Sequence, residues 1–431
     1  MTADRASIGR LWALMLTAAL DMVGFLIVLP LLPFYATRLG ASPVAVTLMI
    51  SSFAVAQLAT SPTWGRLSDR HGRRPILIFG VGISAASHLL FALACSEWAM
   101  ARISPTLLVA LLFLSRFVQG AGGATTGVVQ AYVGDAIVPE ERAKALGWIT
   151  AAISAGVVLG PTLGSIAAVA GPAAPGLAAA GLCLVNLVFV RSWLPESSTP
   201  EARAEATSSG GRSLSRRMLE VLGHPRRPVE RLIWIYAAGM MSFMAMNAVL
   251  ALYLQARFAM TEKTIGYVYA FVGVISLVMR SVVLGPAVRR FGERGVLRLG
   301  LLGLAVGYAL QPLAESLFAF GGAIVLIPVG TALLFPATTS LVSRYAERHE
   351  IGASMGVQQA FGGSARLLGP VWAGLAFQEI GPGAPFWIAS GLALAAMLFA
   401  GGLEAPPRSS TLAPAPAPDP ETEVPSPVRP G

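Results

Sequence analysis

Long apolar runs joined by a few basic residues leave this chain little choice of solvent. Pro43 to Trp64 and Pro75 to Ala94 are each about long enough to cross the ~30 Å hydrocarbon core of a bilayer. Only Gly65-Arg66-Leu67-Ser68-Asp69-Arg70-His71-Gly72-Arg73-Arg74 separates them. That link is far too short for a domain, and one so rich in arginine belongs on the cytoplasmic side of a membrane. The alternation continues along the chain. Apolar runs begin near Leu11, Pro43, Pro75, Thr106, Ala145, Gly176, Leu232, Thr264, Gly295, Phe318, Ile351 and Pro385. Charged residues are 12% of the 431, about half the share of a soluble protein. The expected fold is an all-α polytopic membrane protein with twelve transmembrane helices.

The formal net charge of +9 does not mark a nucleic-acid binder, because the basic residues fall in loops rather than on one face or tail. With the N-terminus placed in the cytoplasm, Arg38, Arg102, Arg257 and Lys263 fall outside, and Arg116, Arg280 and Arg366 fall within the membrane. The remaining 24 of the 31 Lys and Arg residues fall inside, which predicts an N-in/C-in topology. Cys95 and Cys183 lack metal-ligand spacing, and neither a disulfide framework nor a zinc site is expected. Leu11 to Leu32 is too long for a signal-peptide core and reads as the first retained helix. No G-x-x-x-x-G-K-[ST] motif appears, so direct ATP drive is not expected. His71, His88, His224 and His349 form no cluster and are assigned no chemistry.

The charged stretch Pro195 to Pro228 splits the apolar runs six and six. The domain reading is an N-terminal six-helix bundle over 1–194, a cytoplasmic linker over 195–230, a C-terminal six-helix bundle over 231–403, and a disordered Pro-rich tail over 404–431. Arg216, Arg217, Arg226 and Arg227 of the linker are suited to anionic headgroups. The halves echo each other. Gly65 and Gly72 reappear 220 residues later as Gly285 and Gly292, and Gly147, Gly160 and Pro161 reappear 209 residues later as Gly356, Gly369 and Pro370. Repetition at half-chain period marks a transporter of two pseudo-symmetric bundles with its substrate site between them at mid-membrane.

The Gly65 to Pro75 loop resembles the signature loop of the major facilitator superfamily, G-x-x-x-D-R-x-G-R-R-P. In that family the aspartate, here Asp69, is understood to latch the two bundles on the cytoplasmic side. The resemblance points to the start of helix 11, near Gly352 to Ser354, as its partner. Gly65 and Gly72 are expected to let helices approach closely, with Arg70, Arg73 and Arg74 completing the gate. The competing reading leaves the loop as a topology signal alone. Asp135-(x3)-Pro139-(x2)-Arg142 resembles the family's loop after helix 4, with the proline one place late. Asp135 with Arg73 or Arg142 is either a part of the gate or a solvated loop.

Gly147-(x8)-Gly156-(x3)-Gly160-Pro161-(x2)-Gly164 resembles the antiporter motif of the drug:proton antiporter families, with Ser165 where a second glycine is frequent. Gly156, Gly160 and Gly164 recur every four residues and clear one helix face for a neighbour. Pro161 removes a backbone donor and allows a kink. Leu112-(x3)-Arg116-(x2)-Gln119-Gly120 also resembles the superfamily. At 1.5 Å per residue, Arg116 lies about 14 Å deep in helix 4 and Asp21 about 15 Å deep in helix 1, both near the midplane. The surroundings of Asp21 resemble helix 1 of the tetracycline-efflux branch. Asp21 is either the proton-titrating group or a fixed ion-pair partner of Arg116. Arg280 and Arg366 complete the charges at membrane depth, an arrangement that suits a neutral or anionic substrate, or a metal complex, better than a cation.

The resemblance implies a twelve-helix drug:proton antiporter working by alternating access. It implies no cofactor, the proton gradient as energy source, and no enzymatic activity. The expected partners are a small-molecule substrate and the lipid bilayer, with no nucleic acid, and the protein is expected to act as a monomer in the cell (cytoplasmic) membrane. A metabolite symporter or facilitator of the same fold is the first alternative, and a non-transporting receptor or membrane-embedded enzyme the second.

Overall fold

A computed structural model describes residues 2–123, 125–137, 139–197, 213–347 and 350–403. The expected tail over 404–431, and most of the linker before residue 213, lie outside them. The described residues are helical, with no strand among them. Helices α1 (Thr2–Val28) and α2 (Leu32–Arg38) share the first apolar run, broken where Pro30 and Pro33 interrupt it. They are followed by α3 (Pro43–His71), α4 (Arg73–Ala94) and the short α5 (Glu97–Met100). The fourth run divides at Gly123 into α6 (Pro105–Gly122) and α7 (Thr125–Ala136). The N-terminal half closes with α8 (Pro139–Ala167) and α9 (Ala174–Trp193).

The linker holds a helix the sequence reading did not foresee, α10 (Ser213–Gly223). The second half consists of α11 (Pro228–Phe258), α12 (Ile265–Val278), α13 (Leu284–Leu310), α14 (Leu317–Ile324), α15 (Leu326–Tyr345), α16 (Ile351–Glu379) and α17 (Ala384–Ala400). A five-residue π turn, Met279–Val283, joins α12 to α13. Nine helical stretches among the described residues are long and apolar enough to cross a membrane. One of them, Ile265–Leu310, is 46 residues long and breaks at Gly292, whose φ of 68° and ψ of 166° are not helical. Helix starts carry their own stop signals for the preceding loop. Ser42 Oγ accepts from the Ala45 N–H at 3.2 Å ahead of Pro43, and Ser96 and Ser316 cap α5 and α14 in the same way.

The half-chain repeat reappears in the backbone. Six described residues have positive φ, and they form three pairs within one residue of the repeat distances of 220 and 209: Gly40 with Ala259, Gly72 with Gly292, and Gly171 with Gly381. Gly72, at φ 99° and ψ 161°, and Gly292 each make the reversal between two helices. A side chain at either position meets the steric penalty that glycine escapes.

Packing repeats as well. In the first half α1 lies on α8 and α9, and α4 lies on α6 and α9. In the second half α11 lies on α16 and α17, and α13 lies on α15 and α17. Each set follows the same order of passes. The two main contacts between the halves are α3 against α16 and α8 against α12, and these too are equivalents under the repeat; α11 adds smaller ones with α2 and α3. Large apolar residues left exposed, such as Phe79, Val188 and Leu398 at 59, 64 and 71%, lie on the outer faces of apolar helices. In lipid that exposure costs nothing, whereas in water it would invite association.

Candidate functional site: a cleft between the halves and a buried polar set

At the end opposite the basic loop, the halves are fastened together. Arg38, closing α2, pairs with Glu262 in the turn before α12 at 2.6 Å. Ser165 Oγ donates to the Glu262 carbonyl at 2.7 Å and accepts from the Gly266 N–H at 2.8 Å. Gly266 packs so closely on Pro161 and Ser165 that a Cβ there would strike the Pro161 carbonyl oxygen. On the other seam, Ser51 Oγ donates to the Leu367 carbonyl at 2.9 Å, and Gly374 lies directly under Thr47. Ser165 was read as a small stand-in for glycine; its hydroxyl in fact joins α8 to the start of α12.

Burial would raise the Glu262 carboxyl, but the hydrogen bond and charge of Arg38 outweigh it and hold it below the ordinary glutamate value. A depressed carboxylate strengthens closure at neutral pH and loses that contribution only as pH falls through the depressed value. The Arg38 side chain is half exposed, so the pair contributes about 1 kcal/mol or less. A spin-label distance between Ala41 and Lys263 should therefore stay constant from neutral pH down to the carboxylate range and lengthen below it. In Glu262→Gln that acid transition should vanish. A transition near neutral pH would contradict this assignment.

At the basic end the halves stand apart. Between them lies a cavity of about 470 Å³ lined by residues of α3, α4, α7 and α16, among them Gln57, Ser61, Ser68, Arg73, Gln359 and Arg366. Gly65 lines it too, and a Cβ there would meet nothing within 4 Å. The close approach expected at Gly65 is thus absent in this conformation, because Gly65 faces the cavity rather than a neighbouring helix. The contact expected between Asp69 and the start of α16 is likewise not made in this conformation. Asp69 bonds Arg73 at 2.5 Å, and the N-cap residue of α16, Glu350, makes no side-chain capping hydrogen bond.

Arg73 is the centre of the basic end. It bridges Asp69 and, at 2.9 Å, Asp135, so the ends of α3 and α7 are tied to the start of α4. Arg74 donates to the Arg191 carbonyl, Arg142 donates to the Ile137 carbonyl at 2.9 Å, and Arg70 is exposed. Glu196, unnoticed in the sequence, accepts from the Arg73 and Arg74 N–H groups at 2.8 and 3.1 Å and so caps α4. The repeat supplies a mirror with reversed charge. Asp69, Arg73 and Asp135 correspond to Arg289, Glu293 and Arg344, and Glu293 pairs with Arg344 at 2.9 Å.

Three of the four motif glycines of α8 clear one face for α1. Cβ atoms on Gly156, Gly160 and Gly164 would run into α1 at Ala19 and Met22, at Val23 and Leu26, and at Ile27. Gly147 packs on nothing within 4 Å and has no such part. Pro161 and Val158, on another face of α8, receive Gly266 and Gly273 of α12.

Asp21 and Arg116 share a depth but not a direction. Arg116 is 1% exposed, its guanidinium lies 5.7 Å over the Phe91 ring, and none of its nitrogens has a hydrogen-bond partner among the described residues. The fixed Asp21–Arg116 pair is therefore not formed. Thr17, Asp21 and Gly24 fall on one face of α1. Asn186 donates to the Thr17 carbonyl at 3.3 Å, and a Cβ on Gly24 would stand 3.4 Å from Cys183 Sγ and 3.9 Å from the His88 ring. Asp21 thus faces α9 and α4 inside the N-terminal half. His88, given no role from sequence, is 1% exposed there, 3.0 Å from the Gln119 amide nitrogen and 3.7 Å from Cys183 Sγ. Its partners are 31 and 95 residues away, which no spacing rule would find.

Residues 14–285 and 281–430 match the sequence profile of the Major Facilitator Superfamily. Tetracycline resistance protein class B of Escherichia coli is 26% identical over 356 residues, covering 82% of this chain and 84% of that one. Multidrug resistance protein 2 of Bacillus subtilis (strain 168) is also 26% identical, over 82% of this chain and 85% of its own. Among solved structures, the human organic anion transporter MFSD10 (TETRAN) superposes with a TM-score of 0.66 at 23% identity, covering 91% of this chain and 99% of that one. At that identity the superposition speaks for the fold.

Proposed function

The chain belongs to the major facilitator superfamily, and we propose that it is a proton-coupled exporter of a small organic compound, working by alternating access. One observation carries this reading: a cavity of about 470 Å³ between the halves reaches the basic end, while Arg38–Glu262 and the Ser165 bonds shut the opposite end. A membrane protein open at one end and hydrogen-bonded closed at the other is one state of a two-state device. Twelve passes with both termini in the cytoplasm make the basic end the cytoplasmic one, in keeping with the positive-inside rule. The two bundles are assigned to 1–194 and 231–403, joined by the 195–230 linker. The structure is then inward-open, with Asp69 poised to meet the start of α16 on closure.

Export by exchange draws support from the glycine face of α8 packed on α1, and from relatives whose names mark tetracycline and multidrug resistance. Proton coupling is assigned to Asp21, which lies at membrane depth, without a cationic partner among the described residues, amid His88, Gln119, Cys183 and Asn186. A carboxyl in such a place is costly unless it exchanges a proton. The protein is placed in the cytoplasmic membrane, acting as a monomer and needing no cofactor.

Reconstituted liposomes with a trapped pH dye test the reading. Wild type should release protons when a transported compound is added under an imposed gradient, and Asp21→Asn should lower that release at least about tenfold, equivalent to ~1.4 kcal/mol. Equal substrate movement in both, with no gradient required, would make the protein a facilitator and leave Asp21 a packing residue.

A further inference from the structure

Arg366 stands halfway along α16 in the wall of the cleft, half-buried. Among the described residues no carboxylate pairs with it, and no residue lining the cavity is acidic. Asp69 and Asp135 bond Arg73 at the mouth, and Asp21 faces α9 inside the N-terminal half. A second unpaired guanidinium lies on the other seam. Gly266, Gly273 and Arg280 are spaced by sevens and share one face of the α12 pass. The two glycines of that face touch Pro161 and Val158 of α8, and Arg280 follows them toward the basic end, exposed.

An unpaired guanidinium at membrane depth is tolerable while the cleft is open to water. It becomes costly once the halves close and water leaves. A cationic cargo would add a like charge at that moment. A carboxylate, sulfonate or phosphate would accept two hydrogen bonds from Arg366 and neutralise it. Facing Arg366 in the same cavity is an apolar stretch of lining made by Leu58, Val128 and Ala131, with Gly123, Gly127 and Gly363. A cavity of about 470 Å³ is of the size that takes a drug-like molecule. We infer that the cleft binds an amphiphilic organic anion, its acidic group on Arg366 and its apolar body against Leu58, Val128 and Ala131. This rests on the transport reading above for its consequence, though not for the site itself.

The consequence is electrical. Exchange of one inward proton for one outward monovalent anion moves two positive charges inward per cycle, whereas exchange for a monovalent cation moves none. The test uses three matched pairs of aromatic probes differing only in the charged group, such as naphthalene-2-sulfonate against 2-naphthyltrimethylammonium. In detergent, tryptophan quenching should show the anions binding at least about tenfold more tightly than their cationic partners. Arg366→Gln should remove that preference, while Arg366→Lys, which keeps the charge and loses the fork, should retain part of it; melting curves check that both variants are folded. In liposomes, an inside-negative potential set by potassium and valinomycin should accelerate anion export. Cations bound as well as anions, or anion binding untouched in Arg366→Gln, would overturn the inference. Arg366-dependent anion binding without any transport would leave the site standing and remove the transport reading. Proton exchange driven by the cations alone would do the reverse.

Discussion

Gly164→Val should abolish transport and leave a protein that melts well below wild type. A Cβ at Gly164 would collide with the Ile27 carbonyl oxygen and stand 3.0 and 3.2 Å from the Ile27 carbonyl carbon and Cα. These are backbone atoms, so no rotamer change relieves the contact, and α8 must lift from α1. Overpacking in a core that relaxes costs about 1–3 kcal/mol. Here the shift would also open the contacts of Gly156 and Gly160 on α1 and disturb Pro161 and Ser165, which meet α12. A loss at or above the top of that range is therefore expected. Gly147→Ala is the control, since its Cβ would meet nothing within 4 Å. Melting of both variants in detergent decides the point: Gly164→Val melting with wild type would refute the packing role of the glycine face.

Arg73→Glu should lower transport at least about tenfold, and adding Asp135→Arg should restore most of it. Arg73 lies between Asp69 and Asp135. Replacing it with a carboxylate sets three like charges together where the cleft must open and close. The double variant keeps two carboxylates around one guanidinium and gives the pair the polarity that Glu293 and Arg344 already have in the other half at the same 2.9 Å. The groups are partly exposed, so each pair alone contributes about 1 kcal/mol; the larger effect comes from repulsion at the mouth. Uptake into inverted vesicles, corrected for protein amount, reads the result. A double variant no better than Arg73→Glu would show that Arg73 does more than pair charges.

Much of the architecture could be read before any contact was known. Whether a segment enters a bilayer is close to a sum of local transfer free energies, so apolar runs foretold the helices, though not all their ends: the runs read from Ala145 and Gly295 begin earlier, at Pro139 and Leu284. The repeat of Gly72 in Gly292 foretold two matching halves; that both glycines make a reversal at positive φ, rather than a close helix approach, appeared only in the backbone. The glycine face of α8 followed from a spacing of four. Charge order was harder: the reversed triad around Glu293 was in plain view as residues, but only the salt bridge to Arg344 gave it meaning.

Direction around each helix was not in the sequence. Depth placed Asp21 and Arg116 together, yet Asp21 turns toward α9 and α4 while Arg116 lies over Phe91. His88 gains its neighbours, and Ser165 its two bonds across the halves, from helices that meet only after packing. Local sequence thus determined that this chain spans a membrane as a repeated set of helices. Only the tertiary structure decided which polar groups meet, because that depends on how each helix is rotated against its neighbours, and rotation is settled by packing distributed over the whole molecule.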